Sequence, residues 1–184
     1  MVTAQAHRFT IEDYARMAEI GLFGAEARVE LIAGEIVDMA AKGDAHVRCL
    51  MRALRLFTPY VADDLWLAVQ DPVRLGRYSQ PEPDLLVCRV GLDAAPGIPD
   101  AARTLLVVEV ADSSLAHDRG TKLPLYGRAG IPEAWLLDLV NRRIERYTEP
   151  GEAGYRLIAV ANGGESLPST VLPGLILDTD ALLG

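Results

Sequence analysis

The sequence contains no apolar run of the roughly 18 residues that a membrane-spanning helix needs. Its start, from Met1 to Phe9, also lacks the hydrophobic core of a secretory signal. Both absences argue against a membrane partner and against export. We therefore expect a soluble, cytoplasmic protein.

Cysteine is scarce as well, since the chain has only Cys49 and Cys88. They form no CxxC pair and lie in apolar stretches, which is typical of buried free thiols. The three histidines, His7, His46 and His117, are scattered without the spacing of metal ligands. The sequence therefore favours neither a disulfide framework nor a zinc site.

Positive charge is in short supply, because 18 basic residues against 26 acidic ones give a net charge of −8. This sign opposes nonspecific binding to the phosphate backbone of nucleic acid. A local basic surface or a bound cation can offset the repulsion. Arg48, Arg52 and Arg55 share one predicted helical stripe and are candidates for phosphate contact, although most such stripes are solvated helix flanks.

The remaining composition is that of a globular protein, and its length suits a single domain over residues 1–184. Helical spacing of apolar residues predicts helices over residues 10–21, 44–60 and 118–129, the first with a capping box at Thr10 and the second with a possible cap at Asp44. Residues 91–100 and 162–168 are predicted surface loops. Strand-like runs occupy residues 28–31, 35–39, 65–75, 84–90, 104–110, 134–139, 143–148 and 155–160. This alternation predicts the α/β class with a mixed (α+β) sheet in one unit.

Glu109 interrupts the run 104–111, which is apolar on both of its alternating faces and so predicts a strand covered on both sides. A carboxylate buried without a partner is strongly destabilising. The position therefore demands a basic partner, a protonated state or a metal ion. A buried ion pair is the simpler alternative to a functional site.

Asp84 stands at the start of another apolar strand, where by itself it is explained as a polar strand-entry residue. However, a strand, a loop and a strand separate it from Glu109, a connection that can place the two carboxylates side by side in one sheet. Adjacent carboxylates repel each other unless a cation lies between them. Oxygen ligands of this kind favour Mg²⁺ or Mn²⁺.

Lys122 and Glu30 are further candidates, each with a simpler explanation. Lys122 shares a helical face with Asp118, so a solvated ion pair accounts for it. If the helix packs across the end of the Glu109 strand, its ammonium can instead stabilise phosphate charge or orient water at the metal. Glu30 breaks an apolar strand, and the solvated side of that strand accounts for it.

Several separated motifs nevertheless occur in one order along the chain. They are Arg28-Val-Glu-Leu-Ile-Ala-Gly-Glu35, His46, Pro83-Asp84, Val108-Glu109-Val110, Asp118-Arg-Gly-Thr-Lys122, Tyr126, Gly130-Ile-Pro-Glu-Ala-Trp-Leu-Leu-Asp138 and Leu172-Pro-Gly-Leu175. Together they resemble the Uma family, whose members are described as putative restriction endonucleases of the PD-(D/E)XK nuclease superfamily. The resemblance covers almost the whole chain.

The resemblance implies a restriction-endonuclease-like core, a mixed sheet flanked by helices, in which Asp84 and Glu109 bind a divalent metal. It also implies that Glu30 belongs to the acidic site and that the protein is a homodimer. Lys122 would replace the lysine usually found two residues after the glutamate, where this sequence has Ala111. Asp112, beside that position, either adds a carboxylate or caps a turn.

The leading hypothesis is a Mg²⁺-dependent or Mn²⁺-dependent endonuclease that hydrolyses phosphodiester bonds of nucleic acid, with DNA the expected substrate. A nuclease scaffold can also be retained for binding after catalysis is lost. The first alternative is therefore a noncatalytic module that binds nucleic acid or protein. The second is a metal-free acid/base hydrolase that acts on a non-nucleotide substrate.

Overall fold

The structure is a computed structural model that describes residues 6–24, 26–90 and 97–184. A π-helical turn spans Asp118–Lys122, and a 3₁₀ turn spans Thr58–Tyr60. The helices are α1 (Ile11–Glu19), α2 (Asp44–Phe57), α3 (Leu115–His117), α4 (Leu123–Arg128) and α5 (Thr179–Leu183). The strands are β1 (Val29–Ile32), β2 (Glu35–Asp38), β3 (Leu65–Val69), β4 (Leu85–Arg89), β5 (Thr104–Ala111), β6 (Glu133–Asp138), β7 (Arg143–Gly151), β8 (Gly154–Asn162), β9 (Ser166–Pro168) and β10 (Ile176–Asp178).

Strands β3 to β8 form a six-stranded sheet in sequence order, while β1 pairs with β2 and β9 with β10. Within the large sheet β5 and β6 are parallel, and the other neighbouring pairs are antiparallel. The predicted mixed sheet is therefore confirmed. Leu85 pairs with Val108, and the same antiparallel register extended by one residue puts Asp84 opposite Glu109.

Strand β5 lies at the centre of the molecule, and all eight of its residues are buried, as its apolar pattern predicts. One face packs against α2, where Leu50 and Phe57 join Val108 in a hydrophobic core. The other face packs against α4, where Tyr126 belongs to a second core. Glu109 thus lies in a strand that apolar layers cover on both sides.

Helix boundaries match the sequence prediction where the local signals are strong. Helix α1 begins with the predicted capping box, in which Thr10 and Asp13 exchange side-chain and backbone hydrogen bonds. The predicted Asp44 cap is wrong, because Gly43 occupies the N-cap position of α2 and Asp44 lies in the first turn. The predicted helix 118–129 begins earlier, at Leu115.

The predicted strand 65–75 is too long, since β3 ends at Val69. Gln70 adopts a left-handed backbone with φ of 56°, and Pro72 then lacks the N–H that a ladder requires. The predicted loop 162–168 is also partly wrong, because its end forms β9, whose partner β10 and the following α5 were not predicted. Residues 91–96 of the other predicted loop lie outside the described residues.

The cysteine prediction is confirmed, since Cys49 and Cys88 are both buried and free. Burial raises the pKa of the Cys49 thiol to about 12 and also raises that of Cys88. In the described part of the chain, no helix has both the length and the apolar character needed to cross a membrane.

Candidate active site

Glu30, Asp84, Glu109 and Lys122 line one cavity of about 310 Å³. They come from four separate elements: Glu30 from β1, Asp84 from the residue before β4, Glu109 from β5 and Lys122 from the π-helical turn. Each of the four is at most 5% exposed. The structure therefore brings together all of the site residues that the sequence singled out, while their catalytic role stays a prediction.

Lys122 is an internal residue of this cavity. Its Nζ lies 2.7 Å from Glu109 Oε1 and 3.5 Å from Glu30 Oε2, and it donates a hydrogen bond of 3.0 Å to the carbonyl of Glu82. The Tyr126 hydroxyl donates to the same Glu109 oxygen at 2.5 Å. The explanations of Lys122 and Glu30 as solvated residues are therefore wrong, because both side chains are buried and paired.

Asp84 is held beside Glu109 by the backbone of β5. The N–H of Val110 donates to Asp84 Oδ2 at 2.8 Å, which places this carboxylate next to the residue that follows Glu109. On the other oxygen, Asp84 Oδ1 lies 2.9 Å from His46 Nε2 and 3.3 Å from Lys42 Nζ. Asp84 is thus more than a strand-entry residue, since β5, α2 and the segment before α2 all contact it.

The surroundings of Asp84 and Glu109 shift the pKa values of these two carboxyl groups in opposite directions. Burial opposes ionisation of Asp84, but His46, the Val110 N–H and Lys42 together lower the pKa of this carboxyl. Burial raises the pKa of Glu109 well above its ordinary value, and the charge of Lys122 only partly offsets that effect. Burial opposes the charge of Lys122 as well, yet Glu109, Glu30 and nearby Asp118 raise its pKa, so the ammonium stays protonated.

The cavity lining carries more negative than positive charge. The chain has only two lysines, Lys42 and Lys122, and both line this cavity. Seven carboxylates face them: Glu30, Asp38, Glu82, Asp84, Glu109, Asp112 and Asp118. Carboxylates gathered in a partly closed space repel one another, and a bound cation relieves that repulsion.

The donor set fits a hard divalent cation. Asp84 and Glu109 supply carboxylate oxygens from adjacent strand positions, and the prediction of Mg²⁺ or Mn²⁺ needs such ligands, with water or phosphate oxygens in the remaining positions. Glu109 accepts its hydrogen bonds from Lys122 and Tyr126 through Oε1, and no described residue donates to its Oε2. Residues 6–24, 26–90 and 97–184 contain no group of three or more His, Cys, Asp or Glu side chains that could hold a metal alone.

Three residues of the site received no role from the sequence. His46 and Tyr126 belong to the motifs that resemble the Uma family. Their place in the order of these motifs, relative to Asp84 and Glu109, was the signal that could have marked them as site residues. Lys42 offered a different signal, because it is one of two lysines in the chain and precedes the predicted second helix. Their contacts with Asp84 and Glu109 depend on packing between distant segments, which local patterns do not reveal.

The predicted basic stripe on α2 divides into two parts. Arg48 and Arg55 are exposed. Arg52 donates a hydrogen bond of 3.2 Å from Nη1 to the Leu182 carbonyl in α5. Arg52 therefore ties α2 to the C-terminal helix, which leaves Arg48 and Arg55 as the candidates for contact with phosphate.

The chain is similar to known proteins both in sequence and in fold. A family model described as "Uma2: Putative restriction endonuclease" matches residues 11–180, which confirms the resemblance found in the sequence. A crystal structure from Anabaena variabilis ATCC 29413, described as a putative nuclease belonging to DUF820, has the same fold. Its TM-score is 0.75 at 15% sequence identity, and the match covers 95% of this chain and 97% of that one. No curated protein matches the sequence significantly.

Proposed function

The chain belongs to the Uma2 family of putative restriction endonucleases, and on this premise we propose that it is a Mg²⁺-dependent or Mn²⁺-dependent endonuclease that cleaves DNA. The observation that carries the proposal is the contact of Lys122 Nζ with Glu109 Oε1 at 2.7 Å, in a cavity that Asp84 also lines. Two carboxylates and an ammonium that converge in one cavity suit charge stabilisation at a phosphodiester.

We assign the metal-binding role to Asp84 and Glu109. When bound, a divalent cation supplies Lewis acidity, which makes water a better nucleophile and offsets negative charge on a phosphodiester. The Val110 N–H fixes the orientation of Asp84, and the Tyr126 hydroxyl fixes that of Glu109. Side chains that are already oriented need little reorganisation when a cation or a substrate arrives.

Lys122 is assigned the role of stabilising the transition state. In the hydrolysis, the oxygen of water forms a bond to phosphorus and gives up a proton, one P–O ester bond breaks, and the departing oxygen takes up a proton. Negative charge grows on the phosphoryl oxygens during this exchange, and a buried ammonium stabilises it more than a solvated one does. Glu30 accepts a hydrogen bond from the Glu82 N–H and lies 3.5 Å from Lys122, so it assists by holding that ammonium.

A noncatalytic module is the second candidate function, and one observation favours it. The Lys122 ammonium itself lies 2.7 Å from Glu109 Oε1 and partly offsets the charge of that carboxylate. In a protein that only binds, the pocket would serve as an internal ion-pair network, since a fold does not by itself imply an activity.

The deciding experiment is a cleavage assay on plasmid DNA, single-stranded DNA and RNA, with Mg²⁺ or Mn²⁺ and with EDTA. The wild type is expected to nick or linearise plasmid in the presence of metal, and Asp84→Asn and Glu109→Gln are expected to lose the activity. Cleavage that persists in EDTA or in both variants contradicts the assignment. Absence of cleavage by the wild type on all three substrates supports the binding module instead.

We also propose a cytoplasmic homodimer, because a two-fold pair of sites is the simplest device for cutting both strands of a duplex. Light scattering of the purified protein measures the mass in solution. A monomer of 19.9 kDa at all concentrations would contradict the dimer.

A further inference from the structure

Arg119 lies in the same π-helical turn as Lys122, but its contacts are with the β6–β7 hairpin. Its Nη2 donates to Asp138 Oδ2 and to Glu145 Oε1, each at 2.7 Å, and its Nε donates to Glu145 Oε2 at 3.3 Å. The side chains of Asp138 and Glu145 are at most 4% exposed, whereas the Arg119 side chain is 34% exposed. Arg119 does not line the cavity that Lys122 lines.

The two carboxylates are held in place by the hairpin itself. Asp138 accepts hydrogen bonds from the backbone N–H and the side-chain amide of Asn141, at 2.9 and 2.8 Å. Glu145 accepts from the Tyr147 hydroxyl, and its Oε1 lies 2.8 Å from Arg143 Nη2. The anchor for Arg119 is therefore built from residues outside the candidate active site.

The turn that carries Arg119 has an unusual hydrogen-bond pattern. Leu123 donates its N–H to the Asp118 carbonyl, five residues back, and Pro124 cannot donate to the carbonyl of Gly120 four residues back. A single π-helical turn is rare, and contacts from outside the helix can favour it over the α-helical register. The bidentate pairing of a guanidinium with Glu145 supplies such a contact.

The side chains of this turn lie in two different environments. Asp118 and Lys122 are buried and line the cavity, while Arg119 binds the hairpin. A slip of the turn to the α-helical register would move the backbone of Lys122 relative to β5. A displacement of about 1 Å is enough to lower a reaction rate by roughly 10²-fold when a group must be precisely placed.

We propose that Arg119 is a positioning residue, whose bonds to Asp138 and Glu145 hold the π-helical turn in the register that brings Lys122 to Glu109. The catalytic consequence of this inference rests on the proposed nuclease function. The placement of the Lys122 ammonium does not rest on that function, and it can be measured without any substrate.

The matched variants are Arg119→Gln and Arg143→Gln. Arg143 contacts the same two carboxylates, with its Nε 3.4 Å from Asp138 Oδ2 and its Nη2 2.8 Å from Glu145 Oε1, but it lies on β7 and outside the turn. Each variant removes one guanidinium that contacts Asp138 and Glu145. Arg119→Lys is the conservative variant, since it keeps the charge and loses the bidentate fork.

The first measurement is NMR of the lysine side-chain ammonium groups labelled with ¹⁵N. The chain has two lysines, so Lys122→Met assigns both signals, and Lys42 serves as an internal reference. Arg119→Gln is expected to shift the Lys122 signal and speed its hydrogen exchange at least about tenfold, with partial recovery in Arg119→Lys. Arg143→Gln should leave the Lys122 signal in place. Equal Lys122 signals in Arg119→Gln and the wild type, or equal disturbance by Arg143→Gln, overturn the inference.

The second measurement is steady-state cleavage at saturating metal. Arg119→Gln is expected to lower kcat roughly tenfold to 10²-fold with little change in KM, because the displaced ammonium acts mainly on the transition state. Arg143→Gln should retain kcat within about threefold, and a matching loss in both variants overturns the positioning role. If the wild type cleaves nothing, the proposed function fails, and the NMR comparison alone decides the placement of Lys122.

Discussion

Lys122 meets Glu109 from a helical turn that follows the glutamate strand, with 2.7 Å between Nζ and Oε1. The position two residues after the glutamate is Ala111, which is fully buried in the core beside α4. A lysine there would have to displace apolar side chains from that core. In this chain the ammonium comes instead from Lys122, in the π-helical turn at Asp118–Lys122.

Replacement of Lys122 is expected to lower turnover strongly while leaving metal binding intact. Removal of one preorganised donor at developing charge lowers a rate roughly 10²-fold to 10³-fold. Lys122→Ala and Lys122→Met should therefore lose Mg²⁺-dependent plasmid cleavage, and calorimetry should still detect Mn²⁺ binding.

Lys122→Met is the more informative variant, because it keeps much of the packing of the lysine stem. Circular dichroism and thermal unfolding establish whether each variant is folded. Full cleavage by both folded variants, on a substrate that the wild type cuts, would reduce Lys122 to a structural counterion of Glu109.

Asp84 and Glu109 are expected to bind one divalent cation together, since the sheet register sets them opposite each other. In a calorimetric titration with Mn²⁺, the wild type should bind, and Asp84→Ala and Glu109→Ala should each lose most of the affinity. Asp38→Ala removes another carboxylate from the cavity lining and serves as the control. Unchanged affinity in either site variant would rule out a shared site.

Nucleic-acid affinity is expected to depend on Arg48 and Arg55, because the net charge of −8 opposes a phosphate backbone. Each phosphate contact removed should flatten the slope of log affinity against log salt by roughly 0.9 for duplex DNA. The double variant Arg48→Ala/Arg55→Ala is measured by fluorescence anisotropy across a salt series.

Arg52→Ala is the matched control on the same helix. It removes the bond to the Leu182 carbonyl, so it should lower the melting temperature and leave the salt slope unchanged. A double variant with the wild-type slope would exclude this face of α2 as a phosphate contact.

Acid should weaken the anchor that holds Arg119. Burial opposes ionisation of Asp138, but the Asn141 and Arg119 hydrogen bonds lower the pKa of its carboxyl below 3.8. The folded protein then binds this proton less tightly than the unfolded chain does. The stabilisation is therefore present above pH 3.8 and is lost as pH falls through the folded-state pKa.

Urea unfolding of wild type and Asp138→Asn between pH 3 and pH 6 tests this linkage. The wild-type advantage in free energy of unfolding should be constant at the upper end of that range and shrink toward the lower end. A constant difference across the whole range would place the pKa of Asp138 at its ordinary value.

Local patterns of sequence were enough to predict several parts of this fold. Eight consecutive residues with apolar character on both faces predicted the buried strand β5, and the single charge among them, Glu109, marked the candidate site. The capping box at Thr10 and the helical spacing of α2 were equally local signals. Each of these features depends on residues within a few positions of one another, so the sequence displays its cause directly.

Tertiary structure decided which polar residues joined Glu109. The sequence alone also explained Glu30 and Lys122 as solvated residues, and only the packing of β1 and the π-helical turn around the cavity buries them. The spacing of apolar residues also did not predict the π-helical turn. Arg119 in this turn pairs with carboxylates on β6 and β7, which are distant from it in the sequence. Such contacts join segments that are distant in sequence, and they stabilise the protein only once folding has brought these segments together.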